Sequence, residues 1–166
     1  MYNIFGEFDS AEEINQTAVS LRKEKDRDSL LTLAAENGID YEIAEAFMSG
    51  ELLFLADDMA AAIGKIEVEA AELQPTEIMA DWVEYLKARC FESEEVAKAV
   101  RQKGKSLKGC IGQLLKWSFS NAKAVDKDIV KAAGITANVK LGIPGMGRAK
   151  KIITDYYLKE AQYEKK

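Results

Sequence analysis

The chain has 166 residues, 48% hydrophobic and 31% charged, with 2 Pro, 11 Gly, no His and a formal net charge of -5. That length suits one domain, or a domain with a small appendage, and the apolar content argues against disorder. Without histidine, Ser-His triads and most zinc sites are excluded, and no apolar run approaches the ~20 residues of a membrane helix, so a soluble cytoplasmic protein is expected.

In chain order, Tyr2, Ile4 and Phe5 suit a short extended arm. Ser10 with Glu13 three residues on is a capping box, and Ala11, Ile14, Ala18 and Leu21 follow at helical spacing, which predicts a helix ending near Lys25. Asp28 is the expected cap of a second helix carrying Leu30, Leu31, Leu33 and Ala34, with Asn37-Gly38 as its stop. Asp40 caps a third, with Ile43, Ala44, Phe47 and Met48 inward and Ser49-Gly50 closing it. The outline resembles a helix-turn-helix, but its second helix presents Asp40, Glu42 and Glu45, which phosphate repels. Residues 1–50 therefore read as a small acidic helical unit for packing or protein binding, with imitation of nucleic acid toward a basic partner as the sharper alternative.

Leu52, Leu55, Met59, Ile63, Ile66, Ala70 and Leu73 step by three or four and predict one long helix up to the Gln74-Pro75 break. Thr76 is the expected cap of the next helix, with Ile78, Trp82, Leu86 and Cys90 inward, and Ser93 starts a short one through Val96 and Val100. Cys90 and Cys110 both fall on apolar helix positions, so buried thiols are expected rather than a disulfide or a metal site.

Lys103 to Phe119 reads as one helix with two unlike faces. Leu107, Ile111, Leu114, Leu115 and Phe119 form an apolar stripe for a core, while Lys105, Gly109, Gly112 and Lys116 recur at the same steps on another side. With Lys108 beside them, these glycines would let a phosphate backbone approach closely. They would equally let another helix pack close, the commoner reason for glycine inside a helix. Trp117 is placed at the core edge, an anchor for either role.

Asn121 to Val125 form a turn, and Asp126 caps a short helix with Ile129, Val130 and Ala133, ended by Gly134. Residues 135–141 read as irregular or briefly extended. LGIPGMGRAKKIITDYY is a glycine-rich turn into a helix packing through Ala149, Ile152, Ile153, Tyr156 and Tyr157, and AQYEKK is a frayed tail. Gly142 and Gly147 have the spacing of a P-loop, but Arg148 and Ala149 stand where Lys and Ser/Thr are required. Ile143-Pro144-Gly145-Met146-Gly147 is closer to the turn of a helix-hairpin-helix, whose backbone N–H groups hold a DNA phosphate, with Arg148, Lys150 and Lys151 adding attraction. A glycine-permitted chain reversal is the alternative.

The modest net charge conceals a division. Residues 1–97 hold 23 acids against 7 bases, residues 98–151 hold 13 bases against 2 acids, and the remainder has 3 of each. Such opposite fields either steer opposite partners or face each other and partly cancel.

KGKSLKGCIGQLL, the acid-capped short helix after it and the Tyr156-Tyr157 pair resemble the pattern of the PcfK-like family. These are small proteins of plasmids and other mobile elements, some relatives of which are classed as anti-CRISPR inhibitors of the type II CRISPR effector nuclease. The resemblance spans residues 98–157, rests most on Gly109-Cys110 and the tyrosines, and leaves out residues 1–97 and the GIPGMGRAKK turn. It implies a bacterial mobile-element setting and a partner class, and transfers no site residue.

The chain is thus expected to be all-α, a compact multi-helix bundle of about seven helices with a short extended N-terminal arm. Its expected organisation is an acidic unit over residues 1–50 and a main helical domain over 51–166 with a basic C-terminal half. No constellation supports catalysis, since Asp57 and Asp58 are adjacent and would point about 100° apart on a helix. No cofactor or metal is expected. The first functional reading is a mobile-element interaction protein that inhibits a nucleic-acid enzyme such as a type II CRISPR effector nuclease. The second is an accessory nucleic-acid-binding protein of plasmid or conjugative transfer. The residues expected to bind nucleic acid or a protein partner are Lys105, Lys108, Gly109, Gly112, Lys116, Gly145, Gly147, Arg148, Lys150 and Lys151.

Overall fold

Residues 4–159 are described by the computed structural model, in which nine helices and one two-stranded sheet are found. Tyr2 and the AQYEKK tail lie outside the described residues. The all-α expectation holds, and the nine helices fall on the nine stretches that caps and spacing mark out, two more than the overall count of about seven.

Helix α1 (Ala11–Lys23) starts where the capping box places it. Ser10 accepts from the Glu13 amide at 3.2 Å, and the Glu13 carboxylate accepts from the Asp9 amide at 2.7 Å. Helix α2 (Arg27–Glu36) is capped by Asp26 rather than Asp28, because the Asp26 carboxylate accepts both the amide and the hydroxyl of Ser29, at 3.1 and 2.6 Å. Helix α3 (Tyr41–Ser49) begins after Asp40 and stops at Gly50, with Ile43 exposed rather than inward.

The single helix expected from Leu52 onward is shorter. Helix α4 (Asp58–Leu73) begins only at the Asp57 cap, whose carboxylate accepts from the Ala60 amide at 2.7 Å. The cause is Asn15 on α1. Its Oδ1 accepts from the amides of Leu55 and Ala56, at 2.9 and 3.1 Å, and its Nδ2 donates to the Ala56 carbonyl at 2.7 Å. Those bonds hold the segment out of the helix, bury Leu55 and Ala56, and leave Leu53 and Phe54 in solvent. Helix α5 (Ile78–Glu92) is preceded by Glu77 in a left-handed conformation, φ 53°, so Thr76 is not its cap. Helix α6 (Glu94–Arg101) starts at Ser93 as the sequence indicates.

Two apolar clusters result. One joins α1, α2 and α3 with Leu55, Ala56 and Ala61; the other joins α4 from Ala62 onward with α5, α6 and the two long C-terminal helices. Helix α4 belongs to both, since neighbouring residues Ala61 and Ala62 face different clusters. The α2–α3 turn rests directly on α4: a Cβ on Gly64 would lie 3.2 Å from the Asn37 carbonyl carbon and would overlap its oxygen. Gly38 meets Gly64 from the other side with φ +65°, so neither position accommodates a side chain.

Between the clusters sits a buried lysine. Lys65 is fully buried, and its Nζ donates to Glu7 Oε1 at 2.9 Å, to the Gln102 carbonyl at 2.8 Å and to the Lys105 carbonyl at 2.7 Å. All three ammonium donors are thereby satisfied. Burial pulls this ammonium below the ordinary lysine value, an effect opposed by the Glu7 hydrogen bond and the Glu69 charge. Around it, Arg101 donates to the Phe8 carbonyl at 3.2 and 3.1 Å, the Lys103 amide to Asp9 at 2.8 Å, and the Leu107 amide to Glu69 at 3.1 Å. The start of the chain is anchored again farther out, where the Glu36 carboxylate accepts from the amides of Ile4 and Phe5.

Lys65→Met would leave the Gln102 and Lys105 carbonyls without their donor and should lower the unfolding free energy by about 2–4 kcal/mol in a urea titration. Glu7→Gln, which keeps an acceptor oxygen, should cost clearly less. Burial pushes the thiols of Cys90 and Cys110 up to about 11 and about 12. At pH 8 neither should react with a disulfide reagent in the native protein, and both should react once the chain is denatured.

Candidate nucleic-acid interface

The basic segment begins at the α6–α7 junction and builds helix α7 (Leu107–Ser120), strand β1 (Lys123–Ala124), helix α8 (Lys127–Ala132), strand β2 (Lys140–Leu141) and helix α9 (Met146–Leu158). Ser106 caps α7 through the Gly109 amide at 3.0 Å, so Lys105 precedes the helix rather than lying along it.

Helices α7 and α9 run antiparallel, which the contacts at their two ends establish. At one end Lys105 Nζ donates to the carbonyls of Tyr156 and Lys159, at 2.7 and 3.0 Å, and closes the C-terminus of α9. Tyr156 Oη accepts from the Ser106 amide at 3.0 Å. Gly109 lies beneath that ring: a Cβ there would come within 2.9 Å of Tyr156 Cζ and closer still to the hydroxyl. Tyr156 and Tyr157 meet edge to face, centroids 4.8 Å apart, and Tyr157 is buried, which raises its phenol well above the usual range. The Gly-Cys and Tyr-Tyr pairs singled out in the sequence are therefore packing partners of each other.

At the other end, Arg148 in the first turn of α9 lies over the Trp117 ring near the end of α7, 5.8 Å from its centroid. The intervening unit leaves from and returns to this end. Lys123 pairs with Leu141 and Ala124 with Lys140, antiparallel, and the Val125 amide extends the ladder to the Val139 carbonyl at 2.9 Å. Residues 121–143 include no buried residue, and Ile129, Leu141 and Ile143 are each 62% exposed. Gly142 is required where the unit rejoins the bundle, since its Cβ would lie 3.0 Å from the Ser118 carbonyl carbon and overlap the oxygen.

The stripe expected on α7 is only partly a core. Leu107, Cys110 and Leu114 are buried and Ile111 is half-buried, but Leu115 is 66% and Phe119 90% exposed. The chain turns away after Ser120 into the sheet unit, so no helix covers that flank. Lys108, Gly112 and Lys116 stand on the open side of α7, four residues apart, and a Cβ on Gly112 would meet nothing within 4 Å.

The ten residues read from the sequence thus separate. Lys105 and Gly109 are engaged inside the α7–α9 pair, Lys151 is paired with Asp155 at 2.7 Å, and Lys150 reaches over the Tyr85 ring at 5.3 Å. Lys108, Gly112 and Lys116 line the open face of α7, while Gly145, Gly147 and Arg148 form the exposed start of α9. Gly145 supplies no side-chain cap, so the first backbone N–H groups of α9 are left for solvent or a ligand. Lys123, Lys127, Lys131 and Lys140 were not singled out, although the run of bases with only Asp126 and Asp128 among them carried the signal. Among the described residues, the ammonium groups of Lys108, Lys116, Lys123, Lys127, Lys131 and Lys140 have no ion-pair or hydrogen-bond partner.

The acidic half presents a different surface. A groove of about 710 Å3 lies between α1 and residues 53–58, lined by Ala11, Val19 and Phe54 together with Glu12, Asp57 and Asp58. No group of three or more metal-ligating side chains occurs among the described residues, and no helix is long and apolar enough to cross a membrane. Compared with known proteins, the chain matches no family model, no curated protein and no solved structure.

Gly109→Ala should destabilise the protein by about 1–3 kcal/mol, and Tyr156→Phe should relieve part of that cost in a double-mutant cycle. Gly112→Ala should instead stabilise it by about 0.5–1 kcal/mol, because the position is helical and open. Thermal or urea unfolding of the four variants checks both signs.

Proposed function

We propose that this chain is a binding protein without catalysis, and that it engages a nucleic-acid backbone through its basic C-terminal half. The observation that supports this is the group of unpaired lysines on α7 and on the β1–α8–β2 unit. A cation that gains nothing from its own fold raises the field around that end, and a polyanion releases counterions when it binds there. The exposed Leu115 and Phe119 on the same helix add apolar contact surface beside the charge.

The resemblance to the PcfK-like family supplies a narrower version, in which a mobile-element protein inhibits a type II CRISPR effector nuclease. Both halves offer a means: the basic end against the nuclease's nucleic acid, and the groove on α1, lined in part by carboxylates, against a basic protein segment. Accessory nucleic-acid binding in plasmid or conjugative transfer draws on the basic end alone. Titration of a guide-loaded effector, with DNA cleavage as readout, separates the two; absence of both binding and slowed cleavage removes the inhibitor reading.

For the basic end, binding to DNA or RNA should weaken steeply with salt. Lys108→Ala, Lys116→Ala and Lys131→Ala together should make the plot of log K against log salt shallower, by about 0.7–0.9 for each phosphate no longer neutralised. Lys105→Ala should lower stability with little change in slope, because its ammonium is bound to the end of α9. No binding at low salt would overturn the reading.

A further inference from the structure

Where the sheet unit rejoins the bundle, the ends of α7 and α9 enclose a cleft of about 340 Å3, near the lower end of the roughly 300–1,000 Å3 typical of small-ligand sites. Its wall includes Trp117, Asn121, Lys123, Leu141, Ile143 and Arg148. Each contributes a different part of one recognition problem. Trp117 is half-buried near the end of α7, and its side chain lines the cleft. Asn121 Nδ2 is held by the Trp117 carbonyl at 2.9 Å, which orients the amide and leaves its oxygen as an acceptor. Lys123 is exposed with a free ammonium, and Arg148 adds a planar guanidinium above the indole. Leu141 and Ile143, both 62% exposed, give an apolar side to a site that otherwise carries two positive charges.

An anion alone would need the cations but not the indole and the aliphatic wall. An apolar ligand would need the wall but not the two cations. A nucleotide needs all of them: a flat base for the aromatic ring or the guanidinium plane, a base edge for the amide, and a phosphate for Lys123 and Arg148. Bases in a duplex have their faces covered by their neighbours, so only an unpaired one presents the face that this cleft would accept.

We propose that this cleft holds one unpaired nucleotide, its base against Trp117 and its phosphate on Lys123 and Arg148, so that the basic end selects single strands over duplex. The inference rests on the nucleic-acid reading above and narrows its ligand class. Direct indole fluorescence provides the readout. Trp82, the other tryptophan, is only 6% exposed, so quenching by a bound base reports on Trp117.

The experiment titrates the full chain with a 15-nucleotide oligothymidylate, with a 15-base-pair duplex and with thymidine monophosphate at one salt concentration. Affinity is followed by anisotropy of labelled strands and quenching by indole emission. The single strand should quench, and the duplex should bind through the surface lysines without quenching. Trp117→Ala should weaken the single strand by about five- to a hundredfold while leaving the duplex nearly unchanged. Because Trp117 is half-buried, Lys123→Glu at an exposed position serves as a second variant and should lower the single-strand-to-duplex affinity ratio. Quenching by the mononucleotide as well would support the cleft and identify a free nucleotide as a source. Duplex and single strand bound alike, with equal or no quenching, would overturn the nucleotide cleft and leave the basic surface standing. No binding by either would overturn both.

Discussion

The fold turns on the buried ammonium of Lys65. A charge taken out of water is stabilised only when its donors all find acceptors, and the three acceptors here come from the start of the chain and from the α6–α7 junction. Glu7 cannot leave without exposing the cost of the buried cation, so the N-terminal segment is held against the basic half. Arg101 on the Phe8 carbonyl and Asp9 on the Lys103 amide add to the same clasp. The acidic and basic halves therefore meet through a shared apolar core and these directed hydrogen bonds, and most of the basic charge is not neutralised by the acidic half.

The two ends of the α7–α9 pair differ in what holds them. At the end near Lys65, Lys105, Ser106, Gly109 and Tyr156 lock the helices together, with the lysine bound to carbonyls and the glycine covered by a ring. At the far end the chain makes an excursion through the β1–α8–β2 unit, in which residues 121–143 include no buried residue. Such a unit contributes little to the core, so its composition is free to serve a partner. Trp117 and Arg148 lie at its root, where the rigid bundle meets the exposed arm.

Much of the helical outline was legible because it depends on near neighbours. Ser10, Ser93 and Asp126 cap the helices that follow them, and Gly50 and Gly134 stop the helices before them, through contacts within a few residues. The errors arose where a distant residue intervened. Asn15 holds residues 55 and 56 in an irregular segment, which periodicity alone reads as helix. Leu115 and Phe119 have core spacing on α7, but burial needs a neighbour, and the chain departs before supplying one. Of the candidate site, the bases were visible as composition; which were free and which were committed to carbonyls was not.

The sequence by itself determined the helical class, most caps and stops, the buried thiols and the division of charge, because all of these follow from residue chemistry and spacing along one chain. Only the tertiary structure decided that Lys65 is enclosed while Lys116 is free, that Gly109 seats a tyrosine while Gly112 stays open, and that Trp117, Lys123 and Arg148 surround one cleft. The physical reason is the same in each case. A charge, a missing side chain or an aromatic face acquires its role from what stands opposite it, and that partner can lie far along the chain, 58 residues away for Lys65 and Glu7 and 50 for Ser106 and Tyr156.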